Sequence, residues 1–146
     1  MKTLLALLLL AAMSVCAFGQ DADAGHTAAV MDNFGAFMSK ASMAKVDELF
    51  ADKATVYWVD KKLYGKPALS KFLRHQIADV NKYEMSFSPD DGLEDTNIST
   101  GWGTFAINYG TSDGQVSNQI LGRYTVVMKN VADKWEIVSL HLSISK

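Results

Sequence analysis

The chain has a single cysteine, Cys16, so no disulfide can form within it. A disulfide framework and a Cys-rich zinc site are both excluded. Proline is scarce, with two residues, and there is no internal repeat, low-complexity tract or inter-domain linker. An excess of basic charge is also missing: Lys+Arg number 14 and Asp+Glu 16, for a formal net charge of −2. A nucleic-acid binder needs a basic footprint that this balance does not supply. What remains is 146 residues, 49% hydrophobic and 21% charged. That is the size of one domain and the composition of an ordinary folded one.

The only long apolar run, residues 4–13, follows Lys2 and precedes the small residues Ala17 and Gly19. It is short for a bilayer span, which takes roughly 20 residues. A charged start, a short apolar run and a small-residue exit predict a signal peptide over residues 1–19. A short polar leader, 20–25, and one domain, 26–146, follow. The expected location is secreted or periplasmic, with no membrane attachment after cleavage. A lipid anchor on Cys16 is the weaker alternative, because Met13, Ser14 and Val15 lack the small residue wanted beside the cysteine. Cleavage after Gly19 removes the only thiol. The exported chain must then be held by its core.

Val30, Met31, Phe34, Phe37 and Met38 recur at offsets of three and four and predict a helix. Ser42 is placed to cap a second, short helix with Val46, Leu49 and Phe50 on one face. Residues 54–60 switch to strand formers, including Val56, Tyr57, Trp58 and Val59. Gly65 breaks the chain, and Pro67 suits the start of a third helix striped by Leu69, Phe72, Leu73, Ile77 and Val80. Alternation then predicts a short strand over 83–87, a loop over 88–95, and strands over 98–109, 116–129 and 135–145. Ser112-Asp113-Gly114 marks one turn. Helices first and hairpins last predict an α+β fold with the helices on one sheet face.

Three segments resemble the SnoaL-like and ketosteroid-isomerase-like superfamily, whose fold is also that of nuclear transport factor two. They are Phe50-Ala51-Asp52-Lys53-Ala54-Thr55-Val56, then Gly65-Lys66-Pro67-Ala68-Leu69 with Phe72, and finally Gly122-Arg123-Tyr124-Thr125-Val126-Val127 with Trp135-Glu136-Ile137 and His141-Leu142-Ser143. The last pair is similar to the closing hairpin of the secreted branch. The resemblance spans about residues 26–146. It implies a cone-shaped, cystatin-like α+β barrel: a curled antiparallel sheet on three helices, with a pocket. The fold hosts isomerases, cyclases, hydrolases and binding domains, so it does not by itself assign function.

Steroid-isomerase members carry an Asp base on the first strand and a Tyr donor in the first helix, with a protonated acid on a later strand. Those positions become Trp58 and Phe34 here, and residues 114–124 hold no Asp or Glu. Steroid isomerisation is therefore not expected. Asp60, two residues past Trp58, is the one candidate base, since i and i+2 share a strand face. Asn118 falls on the inward face of its strand with Ile120, Tyr124, Val126 and Met128, where a buried amide needs partners. Phe34, Trp58, Trp102, Asn118 and Tyr124 are the candidate ligand-binding residues. His141 shares the outward face with Ser139 and Ser143. His26 and His75 lack metal-ligand spacing, and no metal or cofactor is expected. The acidic residues Asp90, Asp91, Glu94 and Asp95 lack an EF-hand spacing. The expectation is an exported domain that binds a small apolar molecule or a protein partner, as a homodimer through its sheet. The alternative is an isomerase, cyclase or hydratase using Asp60 as base, with Asn118 or Tyr124 as donor.

Overall fold

A computed structural model describes residues 25–78, 82–110 and 116–145. The predicted signal peptide, the leader before Gly25, Val80 and the Ser112-Asp113-Gly114 turn lie outside the described residues. The elements are α1 (Gly25–Ser39), α2 (Met43–Glu48), β1 (Phe50–Trp58), β2 (Lys61–Tyr64), α3 (Lys66–Ala78), β3 (Lys82–Glu94), β4 (Ile98–Gly110), β5 (Val116–Val131) and β6 (Lys134–Ile144). The strands form one sheet in the order β2-β1-β6-β5-β4-β3. It curls over the helices without closing, so among the described residues β2 and β3 are its free edges.

The predicted α+β cone is present, with one addition to its topology. β1 runs parallel to β6, while every other pair is antiparallel. The sheet is therefore mixed. Side-chain alternation sets its inward rows. Trp58, Leu142, Tyr124, Gly103 and Pro89 form one row across five strands, and Val56, Leu140, Val126, Gly101 and Gly92 form the next.

The first helix packs on this face through Met31, Phe34 and Met38, all fully buried. The Phe34 ring meets Phe50 edge-on at 5.3 Å and stacks on Phe87 at 5.6 Å. Close approach depends on Gly35: a Cβ there would sit 2.7 Å from the Met85 carbonyl oxygen. One turn later the Ser39 hydroxyl accepts the Met85 N–H at 2.9 Å and donates to the Gly35 carbonyl at 2.8 Å. Helix α1 thus satisfies part of the free edge of β3, which would otherwise invite strand pairing. The third helix buries Leu69 and Leu73 and lays Phe72 edge-on against Trp58 at 5.6 Å.

Four local expectations need correction. The segment 88–95 is not a loop, because β3 continues to Glu94. Pro89 is tolerated on an edge strand, and a bulge at Asp90 absorbs the irregularity. Residues 54–60 are not one strand, because β1 ends at Trp58 and the chain turns back into β2, which periodicity did not reveal. Ser42 makes no side-chain cap; its carbonyl instead accepts the Lys45 and Val46 N–H groups. The alternation that puts Ser139, His141 and Ser143 on one face of β6 does not reach the start of the strand: a bulge at Val138, opposite Val127 and Met128, buries Ile137 and leaves Val138 half-buried.

The β1–β2 turn is strained. Val59 has φ of 59°, held by its N–H donating to the Leu142 carbonyl at 2.9 Å. A β-branched residue in the left-handed region costs of order 1 kcal/mol or more, whereas glycine adopts it freely. Val59→Gly is expected to stabilise the protein by about 1 kcal/mol. Urea denaturation measures this, and a loss of stability would show that the turn is not under strain.

Candidate functional site

The inward face is buried at its centre and opens toward one end. Val126 and Tyr124 of β5 are 0% and 3% exposed. Further along the same face Ile120 is half-buried and Asn118 is exposed. β4 repeats the gradient, from buried Phe105 and Ile107 to half-buried Tyr109, whereas on β3 Phe87, Met85 and Tyr83 all stay buried. Burial therefore falls along β4 and β5, and the cone opens beside Tyr109 and Asn118, which form one transverse row with the buried Tyr83 of β3.

This row carries the polar tips of the open end. The Tyr83 and Tyr109 rings meet edge-on at 5.5 Å. Tyr83 is 6% exposed, and its hydroxyl donates to the Met85 sulfur at 3.7 Å, a weak acceptor. Burial, and secondarily the neighbouring Tyr109, pushes the Tyr83 phenol far above its ordinary range. Burial also raises Tyr109. Both are neutral hydroxyls at physiological pH, able to donate a hydrogen bond and unable to act as bases. Ile107 and Ile120 form the apolar floor behind them.

The candidate residues separate when placed on the structure. Asp60 is exposed in the β1–β2 turn, because the left-handed Val59 ends the strand before the i, i+2 rule can carry Asp60 inward. Asn118 lies on the inward face as expected, but it is exposed and not buried. Trp102 faces outward between Gly101 and Gly103 and is 37% exposed. Phe34 is a core residue between Phe50 and Phe87. Trp58 is 6% exposed and packs on Phe72. The structure brings none of the candidate donors to Asp60. His141 is exposed on the outward face, edge-on to Tyr57 at 5.7 Å.

Tyr124 is buried, with its ring over Gly103 and edge-on to Phe87 at 5.2 Å. Its phenol is pushed up to about 12 by burial, and then by the carboxylates of Asp32 on α1 and Asp90 on β3. Those neighbours place its hydroxyl toward the β3 edge. A raised phenol pKa makes folding strength depend on pH above the ordinary value of 10. The folded state keeps a proton that the unfolded chain releases, so stability present below pH 10 is lost as pH rises toward 12. Urea midpoints at about pH 9 and about pH 11 should fall more for the wild type than for Tyr124→Phe. Equal falls would contradict this placement.

Sequence reasoning missed Tyr83 and Tyr109. Tyr83 was visible as the start of the alternation with Met85 and Phe87, and Tyr109 continues the inward phase of Phe105 and Ile107. Among the described residues no group of three or more His, Cys, Asp or Glu is placed to hold a metal ion, and no helix is long and apolar enough to cross a membrane.

Comparison with known proteins places these features in a family. The model of the SnoaL-like domain matches residues 28–145. No curated protein is significantly similar in sequence. The fold is similar to a nuclear transport factor 2-like superfamily protein from Salmonella enterica serovar Typhimurium, with TM-score 0.71, 16% identity, and 83% of this chain and 89% of that one covered. It is similar to an uncharacterised Caulobacter vibrioides protein with a cystatin-like fold, with TM-score 0.70, 13% identity, and coverage of 84% and 90%. It is also similar to a Xanthomonas campestris protein assigned as a calcium/calmodulin-dependent protein kinase II association domain, with TM-score 0.68, 18% identity, and coverage of 82% and 86%.

Proposed function

Because the chain belongs to the SnoaL-like domain family, a fold that either binds ligands or catalyses, we propose that it is an exported binding domain without catalysis. Its ligand is a neutral, largely apolar small molecule held at the open end of the cone. One observation carries this reading. Among the described residues the buried polar side chains are Thr27 and Ser99, and no Asp, Glu, His, Lys or Arg is buried. Proton-transfer catalysis needs a base within hydrogen-bond reach of the substrate. A ligand that brought a charge inside would leave it unpaired at high cost. The open end instead offers apolar surface from Ile120 and the neutral hydroxyl of Tyr109, backed by the buried Ile107 and Tyr83, with the Asn118 amide at the rim.

Export rests on the Lys2 start, the apolar run and the small-residue exit. A mature chain without cysteine is compatible with a secreted or periplasmic setting. Self-association through the outward sheet face belongs to the same reading. That face carries the exposed Tyr57, Thr125, Trp102 and Leu121. The name of the Xanthomonas structure, an association domain, points the same way.

The neutral fluorescent probe N-phenyl-1-naphthylamine tests the binding reading. It should bind with enhanced emission. Tyr109→Ala and Ile120→Ala should each weaken binding about tenfold, or about 1.4 kcal/mol. Asp60→Asn should leave it unchanged. Absence of probe binding, or equal binding by all three variants, would overturn the assignment.

A further inference from the structure

The two free edges of the sheet carry matching outward side chains. One outward row runs Lys62, Tyr57, His141, Thr125, Trp102, Asp91 across all six strands. The next runs Tyr64, Thr55, Ser139, Val127, Thr100, Leu93. Edge β2 therefore presents Lys62 beside Tyr64, and edge β3 presents Asp91 beside Leu93 at the same level. Leu93 and Tyr64 are 71% and 63% exposed, more than any other large apolar side chain among the described residues.

The end charges are held but not neutralised. The Lys62 ammonium lies over the Tyr57 ring at 5.5 Å, and the Asp91 carboxylate accepts the Gly92 N–H at 2.7 Å. Among the described residues neither has an ion-pair partner. The surrounding sequence carries charges of the same signs. Residues 61–78 hold Lys61, Lys62, Lys66, Lys71 and Arg74 with no acid. Residues 83–95 hold Glu84, Asp90, Asp91, Glu94 and Asp95 with no Lys or Arg. Of these charges Lys66, Arg74, Glu84, Asp90 and Glu94 are paired, with Asp52, Asp47, Lys82, Arg123 and His26 respectively, so the contrast between the edges rests on Lys62 and Asp91.

We propose that each edge is an interaction surface for the opposite edge of a second copy, so that protomers associate side by side and head to tail. β2 and β3 run in the same direction through the pairings of the sheet. A copy displaced across the sheet thus brings Lys62 level with Asp91 and Tyr64 level with Leu93. The contact buries the two exposed apolar side chains and pairs the two free charges. Lys61, Lys62, Pro89 and the bulge at Asp90 guard against indiscriminate strand pairing, so the side chains make the contact. Such an interface is heterologous and does not close at two protomers. It is independent of the sheet-face contact proposed above.

Sedimentation velocity on the purified protein tests this, over about a hundredfold range of concentration, at low salt and at about 0.5 M NaCl, where charges are screened within a few ångströms. The mass should grow past two protomers without a plateau at low salt and fall back at high salt. Lys62→Glu and Asp91→Lys, each checked as folded by circular dichroism, should each need at least about tenfold more protein to assemble. An equimolar mixture of the two variants should recover growth, because the altered edges are again opposite in charge. A wild type that does not grow, growth that stops at two protomers, single variants that assemble normally, or a mixture that stays dispersed would overturn the proposal.

Discussion

Replacing Gly122 by alanine is expected to destabilise the protein by about 3 kcal/mol and to lower its Tm by roughly 10 °C. Gly122 lies on β5 between Phe105 on β4 and Ile144 on β6. A Cβ at this position would collide with the Ser143 carbonyl oxygen and stand 2.5 Å from the Phe105 ring. The first obstacle is backbone inside the sheet. The second is a ring 3% exposed, tilted against Phe87 at 6.4 Å. Neither is the free end of a flexible chain, so relief requires the strands to part. Overpacking usually costs 1–3 kcal/mol, and a backbone obstacle places this site near the top of that range. Thermal and urea denaturation measure it. A loss under about 1 kcal/mol would mean that the sheet yields there.

Phe34 gives the second large effect. Phe34→Ala is expected to cost about 4 kcal/mol, as for other large-to-alanine changes in a core. The ring is fully buried and held from two sides by Phe50 and Phe87. The more informative change is Phe34→Tyr. The resemblance to steroid-isomerase proteins puts a tyrosine donor at this position, facing a ligand. Here the added hydroxyl would enter an aromatic cluster and should cost about 2 kcal/mol as a buried group without a partner. If Phe34→Tyr is as stable as the wild type, the ring borders a wet cavity and the packed interior is contradicted.

These two positions illustrate what could be read from the chain alone. Periodicity located the three helices and most strands, because Met31, Phe34 and Met38 on α1 and the alternation of Tyr83, Met85 and Phe87 follow directly from burial on one face. The extension of β3 was hidden because Pro89 and its acidic neighbours look like a loop, and only an edge position tolerates them. The fate of Asp60 was hidden for a different reason. Val59 is a strand former by type, yet it adopts the left-handed turn conformation, and tertiary pairing with Leu142 overrides its preference.

Asn118 shows a third limit. Alternation assigns a side chain to a face but does not say how deeply that face is covered. Its parity was right and its depth was wrong. Trp102 was given no face at all, although Gly101, Gly103 and Phe105 share the inward phase. Register between strands is a long-range property, so the row of Tyr83, Tyr109 and Asn118 appears only when β3, β4 and β5 are paired.

Native mass spectrometry of the protein purified from its native host tests the binding assignment most directly. The spectrum should contain the chain with a retained neutral small molecule, released on denaturation. Asp60→Asn should retain the same molecule, chemically unaltered. A bare chain in every preparation, or an Asp60→Asn variant that accumulates a different molecule from the wild type, would contradict a non-catalytic binding domain.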